Sequence, residues 1–479
     1  MNSVIIYLFF FAVYTIILLF WGKSGFKKTN NMRDFCVAGN SLGLWASVFT
    51  FTATWFSAVS MQSVTGSVYM FGYSTILYSV VGWFLGGSCL IFVAHKIKEH
   101  DILTIPEYFK IRYDSPAFQA FGGFVTVICY ILYIIIQIKG FGLVVSELLD
   151  IDYKIAILMI YLFVVYTSFG GLFSVSKTDS MNFVVVFLGI AIAVVYIISD
   201  IGNFTLMNEK ASNLTDGALL DLSSNNLFSP FMILSTSLAW GLGTAANPQY
   251  IIRIASAKNR IIGMKMICLS VISMGFLYFG LMIIGIGSRV LQSDISQIGS
   301  SDEVLSYFIN NSIHSNLSGF IFISIIAAAI STANSQLLLM ASSFTYDIYM
   351  NMFHKNLSEE KFLGLARVVI FITGTVSLLL SVNPPDSLLL FGSYVWTVFA
   401  VTFLCPLYGG LYWKKATCRG AVASSVAGLV SATVFFIIDQ NSSLGSIIHP
   451  VLPGMIIAFI VFYSVSIATY KTGSIRHEA

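Results

Sequence analysis

Residues 50–67 read Thr50-Phe51-Thr52-Ala53-Thr54-Trp55-Phe56-Ser57-Ala58-Val59-Ser60-Met61-Gln62-Ser63-Val64-Thr65-Gly66-Ser67. They form most of an apolar segment at about 42–70, long enough to cross a bilayer, which takes about 20 mostly apolar residues. Yet the stretch holds nine hydroxyl or amide side chains. Polar groups at membrane depth are costly and usually face a pathway. The plainer alternative is that these hydroxyls bond back to the carbonyls of their own helix. Their density exceeds what a helix that only packs requires, and it predicts a span interrupted near Trp55–Ser57. A break of that kind frees backbone carbonyls, which can coordinate a cation near the midplane.

The rest of the chain supports a membrane setting. Of 479 residues, 57% are hydrophobic and 10% are charged, against roughly 25% charged in a soluble domain. Mean hydropathy is +0.85. With 25 basic and 22 acidic side chains, the chain cannot solvate the surfaces of several soluble domains, and the balance carries no signal for nucleic acid. The cysteines Cys36, Cys89, Cys129, Cys268, Cys405 and Cys418 fit neither disulfide nor zinc spacing. The chain is read as an all-α polytopic membrane protein.

About 13 transmembrane segments are legible, near 3–21, 42–70, 73–94, 117–148, 154–172, 180–199, 229–251, 264–288, 314–344, 364–381, 387–412, 419–438 and 449–470. The first lacks a basic flank and a small-residue cleavage site, so it reads as a retained helix rather than a signal peptide. With the N-terminus outside, 21 of the 25 Lys and Arg fall on the cytoplasmic side. Three (Lys154, Lys210, Arg289) fall outside and Lys139 lies within a helix, an asymmetry that fixes the expected orientation. The loop at about 200–228 is rich in Asn, Ser, Asp and Thr and reads as solvated; the tail after about 470 reads as short and disordered. No soluble domain and no Walker-type loop is seen.

Two further segments carry polarity. The ninth places Ser324, Ala328, Ser331, Ser335 and Ser342 on one small, hydroxyl-rich face, with Thr332 and Asn334 beside it. Close helix packing is the competing explanation for small residues; neutral oxygens for a hard monovalent cation are the functional one. The seventh contains Ala239-Trp240-Gly241-Leu242-Gly243-Thr244-Ala245-Ala246-Asn247-Pro248, where two glycines and a proline predict a second interrupted span. Interrupted spans opening two five-helix halves point to an inverted-repeat transporter. The expected organisation is an extra helix and loop at 1–30, a first repeat at 34–199, an external loop at 200–228, an inverted repeat at 229–415, and two helices with a cytoplasmic tail at 416–479.

Among ionisable residues, Lys139 lies eight positions before Glu147, about 12 Å along a helix axis. It reads as counter-charge to a solute carboxylate or as a proton-carrying ammonium; snorkelling or a bond to a neighbouring helix is the alternative. Asp179, near the cytoplasmic start of the sixth segment, is the other ionisable group of note, with an ordinary interfacial carboxylate as the plainer alternative.

The stretch Tyr166-Thr167-Ser168-Phe169-Gly170-Gly171-Leu172, and Gly410-Leu411-Tyr412-Trp413-Lys414-Lys415 continuing to Gly420, Ala421 and Gly428, resemble the two signatures of the sodium/solute symporter family. Shorter matches are Ala38–Gly43, Ile330-Ser331-Thr332 and Asp347-Ile348-Tyr349. The resemblance runs from about Asp34 to Gly428. The family includes bacterial carriers for proline, pantothenate, sugars and sialic acid. It implies a LeuT-type core, a 5+5 inverted repeat with one extra N-terminal helix. It also implies a sodium site built from carbonyls of Ala53, Phe56 and Ala328 and hydroxyls of Ser331 and Thr332. Relatives similar to the sialic acid carriers have a second sodium site, whose matching positions are Ser331, Asn334, Ser335 and Asp179; here Asn replaces a hydroxyl residue. Similarity to the proline carriers places Trp240, Thr244 and Pro248 in the solute region. Thr244 stands where those carriers have an aromatic residue, and Trp55 where they have a carboxylate. By analogy with the sugar and sialic acid relatives, Trp55, Ser57 and Ser60 would face the solute.

The expected function is secondary active transport: sodium-coupled symport into the cell of a small carboxylate-bearing solute, such as an amino acid or monocarboxylate, by alternating access. Na+ is the expected coupling ion, and no catalytic residue is expected. The expected partners are the solute and membrane lipid, without nucleic acid or an obligate protein, in a bacterial inner membrane. A proton-coupled version using Lys139 and an uncoupled ligand sensor are the alternatives.

Overall fold

The computed structural model describes every residue except 1–2, 226, 295, 297, 314–315, 354–355, 442–447 and 475–479. Its main helices are α1 (Ser3–Phe26), α2 (Leu44–Trp55), α3 (Val59–Phe71), α4 (Ile76–Ile97), α5 (Pro116–Leu149), α6 (Tyr153–Ser168) and α7 (Gly171–Ile201). They continue with α8 (Pro230–Ala246), α9 (Pro248–Ser256), α10 (Arg260–Leu291), α11 (Ser318–Met350), α12 (Glu359–Leu380), α13 (Leu388–Tyr412), α14 (Cys418–Asn441) and α15 (Val451–Ser474). Helix lies in every expected interval. Ten helices among the described residues are long and apolar enough to cross a membrane, and α2 with α3 pass together across a 60° bend. Large apolar side chains such as Phe9, Phe20, Val195, Phe276, Leu379 and Phe459 remain exposed on the periphery, where a membrane protein meets acyl chains.

Local chemistry sets the boundaries. Ser115 caps α5 by accepting from the Phe118 amide, with Pro116 at its first position; Ser229 and Pro230 open α8 in the same way. A side-chain oxygen there satisfies an amide that has no intrahelical partner, and proline has no amide to lose. Phe56 ends α2 in extended conformation, φ −81° and ψ 107°, so the break falls inside the interval read from the hydroxyl pattern. The second break is at Asn247 (ψ 124°), whose side chain caps α9 through the Gln249 amide.

α11 occupies the centre, with every side chain from Ile321 to Ser342 buried. It packs against α7, α5 and α2. The start of the first repeat is stitched to the end of α9: the Leu42 amide donates to Ser256 O (3.2 Å) and the Lys258 amide to Leu42 O (3.0 Å). Lys98 Nζ adds bonds to Ala255 O and Ala257 O, both 2.7 Å.

Two expectations change. The polar stretch at 200–228 contains a helix, Phe204–Thr215, capped by Asn203 and anchored by buried Met207 and Ala211; its polar face hid a short apolar one. The final helix continues through Ser474, beyond the expected limit at about 470, and residues 475–479 of the expected tail lie outside the described residues.

Candidate functional site at the broken span

The break in α2–α3 lies against α11. Ser331 Oγ donates within 2.8 Å of Ala53 O and 3.0 Å of Ala328 O. Thr332 Oγ1 reaches Thr54 O at 3.2 Å. Three of the five residues expected at a sodium site are thus in direct contact, and Thr332 adjoins them through Thr54. Phe56 supplies the extended residue at the break, while its ring lies 5.7 Å from that of Tyr278. These donors are hydroxyl and carbonyl oxygens without net charge, a set that fits a hard monovalent cation.

The positions matched to a second sodium are arranged differently. Asp179 Oδ2 accepts from Thr50 (2.6 Å) and faces Arg253 Nη2 at 3.5 Å. Ser335 Oγ also accepts from Arg253. Asn334 is turned to α6, accepting from Thr167 Oγ1 at 2.6 Å. The structure therefore joins Asp179 and Ser335 through a guanidinium and leaves Asn334 in another network. Asp179 and Arg253 are fully buried, which rules out the interfacial alternative for Asp179, and each neutralises the other below the surface.

Around the break an aromatic enclosure forms. Trp240 sits 4.7 Å from Trp83 and 5.8 Å from Trp396. Trp396 lies 4.1 Å from Tyr133, whose hydroxyl faces Ser57. Trp396 Nε1 donates to Thr244 at 3.3 Å, so an aromatic from α13 borders the position that lacks one on α8. Ser60 bonds Tyr278 at 2.8 Å. Trp55 packs on Tyr250 at 5.5 Å and against Gly87, where an added Cβ would lie 2.0 Å from its ring. Pro248 is buried at the start of α9. Gln137 Oε1 accepts from the Ala58 amide at 3.1 Å. The buried Nε1 atoms of Trp55 and Trp240, Gln137 Nε2 and Gln62 Oε1, all uncharged, have no partner.

Lys139 differs from expectation. Its ammonium donates to Asp302 Oδ2 (3.1 Å), Pro385 O (2.9 Å) and Asp386 O (2.6 Å). In this structure its charge is matched within the chain, not left free for a solute carboxylate. Trp83, Tyr133, Gln137, Tyr278 and Trp396 were not picked out from the sequence. A signal lay in glycines on facing helices, at Gly243 and Gly392, where side chains would strike Trp396 and crowd Tyr133.

Two broken helices around a neutral oxygen cluster, roofed by aromatic rings, define a secondary carrier of LeuT type. The model of the sodium:solute symporter family matches residues 35–428, and the chain belongs to that family, one of carriers and not enzymes. It is 26% identical to an osmoregulated proline transporter of Bacillus subtilis, over 96% of this chain and 94% of the relative. It is also 26% identical to a sodium/proline symporter of Staphylococcus aureus, over 97% and 93%. Among solved structures it resembles a Na+-coupled sialic acid symporter in a substrate-bound outward-open state, with a TM-score of 0.80 at 18% identity, covering 96% of this chain and 97% of the other. That likeness is one of fold.

Proposed function

We propose that the chain couples sodium movement to uptake of a small zwitterion across a bacterial inner membrane. The observation that carries this is Ser331 at 2.8 Å from Ala53 O: a hydroxyl of the second repeat meets a carbonyl freed by the break in the first. Sodium held by Ala53, Ala328, Ser331 and Thr332, with the carbonyl of Phe56, would fix the two repeats together and pre-order the adjoining enclosure. Binding of ion and solute is then mutually reinforcing, as linkage requires. The membrane potential contributes about 2.3 kcal/mol per charge per 100 mV.

A solute of no net charge is favoured because the ammonium of Lys139 and the guanidinium of Arg253 are both paired. The free donors of Trp55, Trp240 and Gln137 suit a carboxylate, and aromatic faces suit an ammonium group. The proline transporters among its relatives make amino and imino acids the first solutes to try. Arg253, lying between Asp179 and Ser335, supports one coupling ion per cycle. The excess of Lys and Arg in one set of loops supports an orientation with the Asp302 face and the N-terminus outside and the carboxyl end in the cytoplasm.

The test is uptake into proteoliposomes of a panel of amino and imino acids, in sodium and in potassium. Uptake by the intact protein should require sodium, and Ser331→Ala with Thr332→Ala should raise the sodium concentration for half-maximal uptake at least about tenfold, or 1.4 kcal/mol. An unchanged sodium dependence would remove this ion site.

A further inference from the structure

We propose that Lys139 and Asp302 are gating residues, a latch that holds the outer entrance shut and must open to admit solute. This rests on the reading of the chain as an alternating-access carrier with its Asp302 face outward. Asp302 is 1% exposed and Lys139 6%. Asp302 Oδ1 accepts from Ser63 on α3 at 2.5 Å. Its Oδ2 accepts from Lys139 on α5 and from the Leu388 amide that opens α13, at 3.2 Å. Lys139 in turn holds the α12–α13 connection through Pro385 O and Asp386 O. Three separate stretches of chain, and the loop that carries Asp302, thus meet at one ion pair.

Its position is what makes it a gate. Ser60 and Ser57 lie three and six residues before Ser63, towards the break and so deeper along the same span. The loop residue Ser301 lies directly on α3, since a Cβ on Gly66 would fall 1.6 Å from Ser301 O. Ser57 is itself buried, 3% exposed, and this loop covers α3 on the Asp302 side of it. Alternating access rocks one part of the molecule against another around a fixed site, and the latch ties the broken span to α5 and α13. An ion pair suits the task. Charges recover hydration when exposed, so a buried pair holds two surfaces without a large net gain over the open state.

The experiment uses the full chain in lipid nanodiscs, as Lys139→Met, Asp302→Asn and the double variant. A Ser57→Cys reporter in a background free of the six native cysteines is labelled by a hydrophilic maleimide. Each single variant should label about tenfold faster than its parent, and the double no faster than the singles, because one latch can open only once. Sodium chloride titrated against thermal stability, with potassium chloride as control, should give a lower sodium midpoint in each variant, since an opened entrance favours the ion-binding state. A merely structural lesion would raise that midpoint. Unchanged labelling, labelling that multiplies in the double variant, or a raised sodium midpoint overturns the latch. If the single variants fail to fold, Ser63→Ala removes only one donor and should speed labelling about two- to fivefold in the same background. Absence of any sodium response in the parent would instead strike the sodium reading, and labelling alone would then decide the latch.

Discussion

Two buried ion pairs bracket the broken span, and they are built to opposite standards. At Lys139–Asp302 both carboxylate oxygens are engaged and the ammonium has three acceptors. At Arg253–Asp179 the closest approach is 3.5 Å, Asp179 Oδ1 has no partner, and the guanidinium is shared with Ser335 and with Gln249 O at 3.0 Å. The Arg253, Asp179 and Asp302 side chains are wholly buried, and only Lys139 keeps some exposure, 7%. The saturated pair joins loops to helices near a surface. The unsaturated pair lies deeper, between α9 and α7 and beside α11, and keeps its dielectric low and its removal expensive. Depth and completeness therefore run in opposite directions here.

The largest expected effect follows from depth. Arg253→Gln removes the counter-charge of Asp179 in a dry interior and leaves it the Thr50 hydroxyl, which costs about 3–5 kcal/mol. Lys139→Met leaves Asp302 with donors from Ser63 and Leu388 and should cost less, about 1–3 kcal/mol. Chemical unfolding in detergent ranks them; equal losses would erase the distinction drawn from burial. Next in size, Gly87→Ala drives a methyl into the Trp55 ring and should cost about 1–3 kcal/mol by overpacking, with solute binding weakened more than sodium binding in isothermal titration. A smaller effect sharpens the comparison: Asp179→Asn should raise the sodium midpoint less than Ser331→Ala does, because Arg253 already neutralises that carboxylate. A larger rise would make Asp179 an ion ligand.

The smallest effect concerns a third pair, Arg33–Asp101 at 2.6 Å, with side chains 44% and 72% exposed. The bond from the Arg33 guanidinium holds the Asp101 carboxyl below its ordinary value. Arg33→Ala should cost under about 1 kcal/mol, and less in high salt. A carboxyl depressed by folding stabilises above its unfolded value and loses that contribution as pH falls through the folded one. The difference between the two proteins should therefore shrink as pH falls below the carboxylate's ordinary value of 3.8 and vanish only below its depressed folded value. A difference that persisted there would assign the effect to packing of the arginine stem.

What could be read from the sequence was whatever depends on neighbours along the chain. Hydroxyl density around Trp55–Ser57 located the first break, glycines with Pro248 located the second, and helical spacing put Ser324, Ala328, Ser331 and Ser335 on one face. What could not be read was pairing across the fold. Lys139 was singled out as anomalous, but its partner Asp302 lies 163 residues away in a loop whose sequence looks merely polar. Arg253 was counted among cytoplasmic charges because it follows an apolar run; only tertiary contact reveals Asp179 beside it. Trp83, Tyr133 and Trp396 sit in apolar helices where any aromatic looks like core.

The stitch between Leu42 and Ala257 has a mechanical consequence. It couples the ends of α2 and α9 that lie farthest from the two breaks, so the two helices form a yoke and not two independent levers. α2 has 12 residues, about 18 Å of rigid arm, and a tilt of roughly 10° about the break would carry its far end about 3 Å, near the width of a water molecule. Through the yoke that displacement is imposed on α9 as well, and with it on Arg253. A single small rotation at Phe56 is thus delivered to both repeats at once, and the geometry provides the gearing.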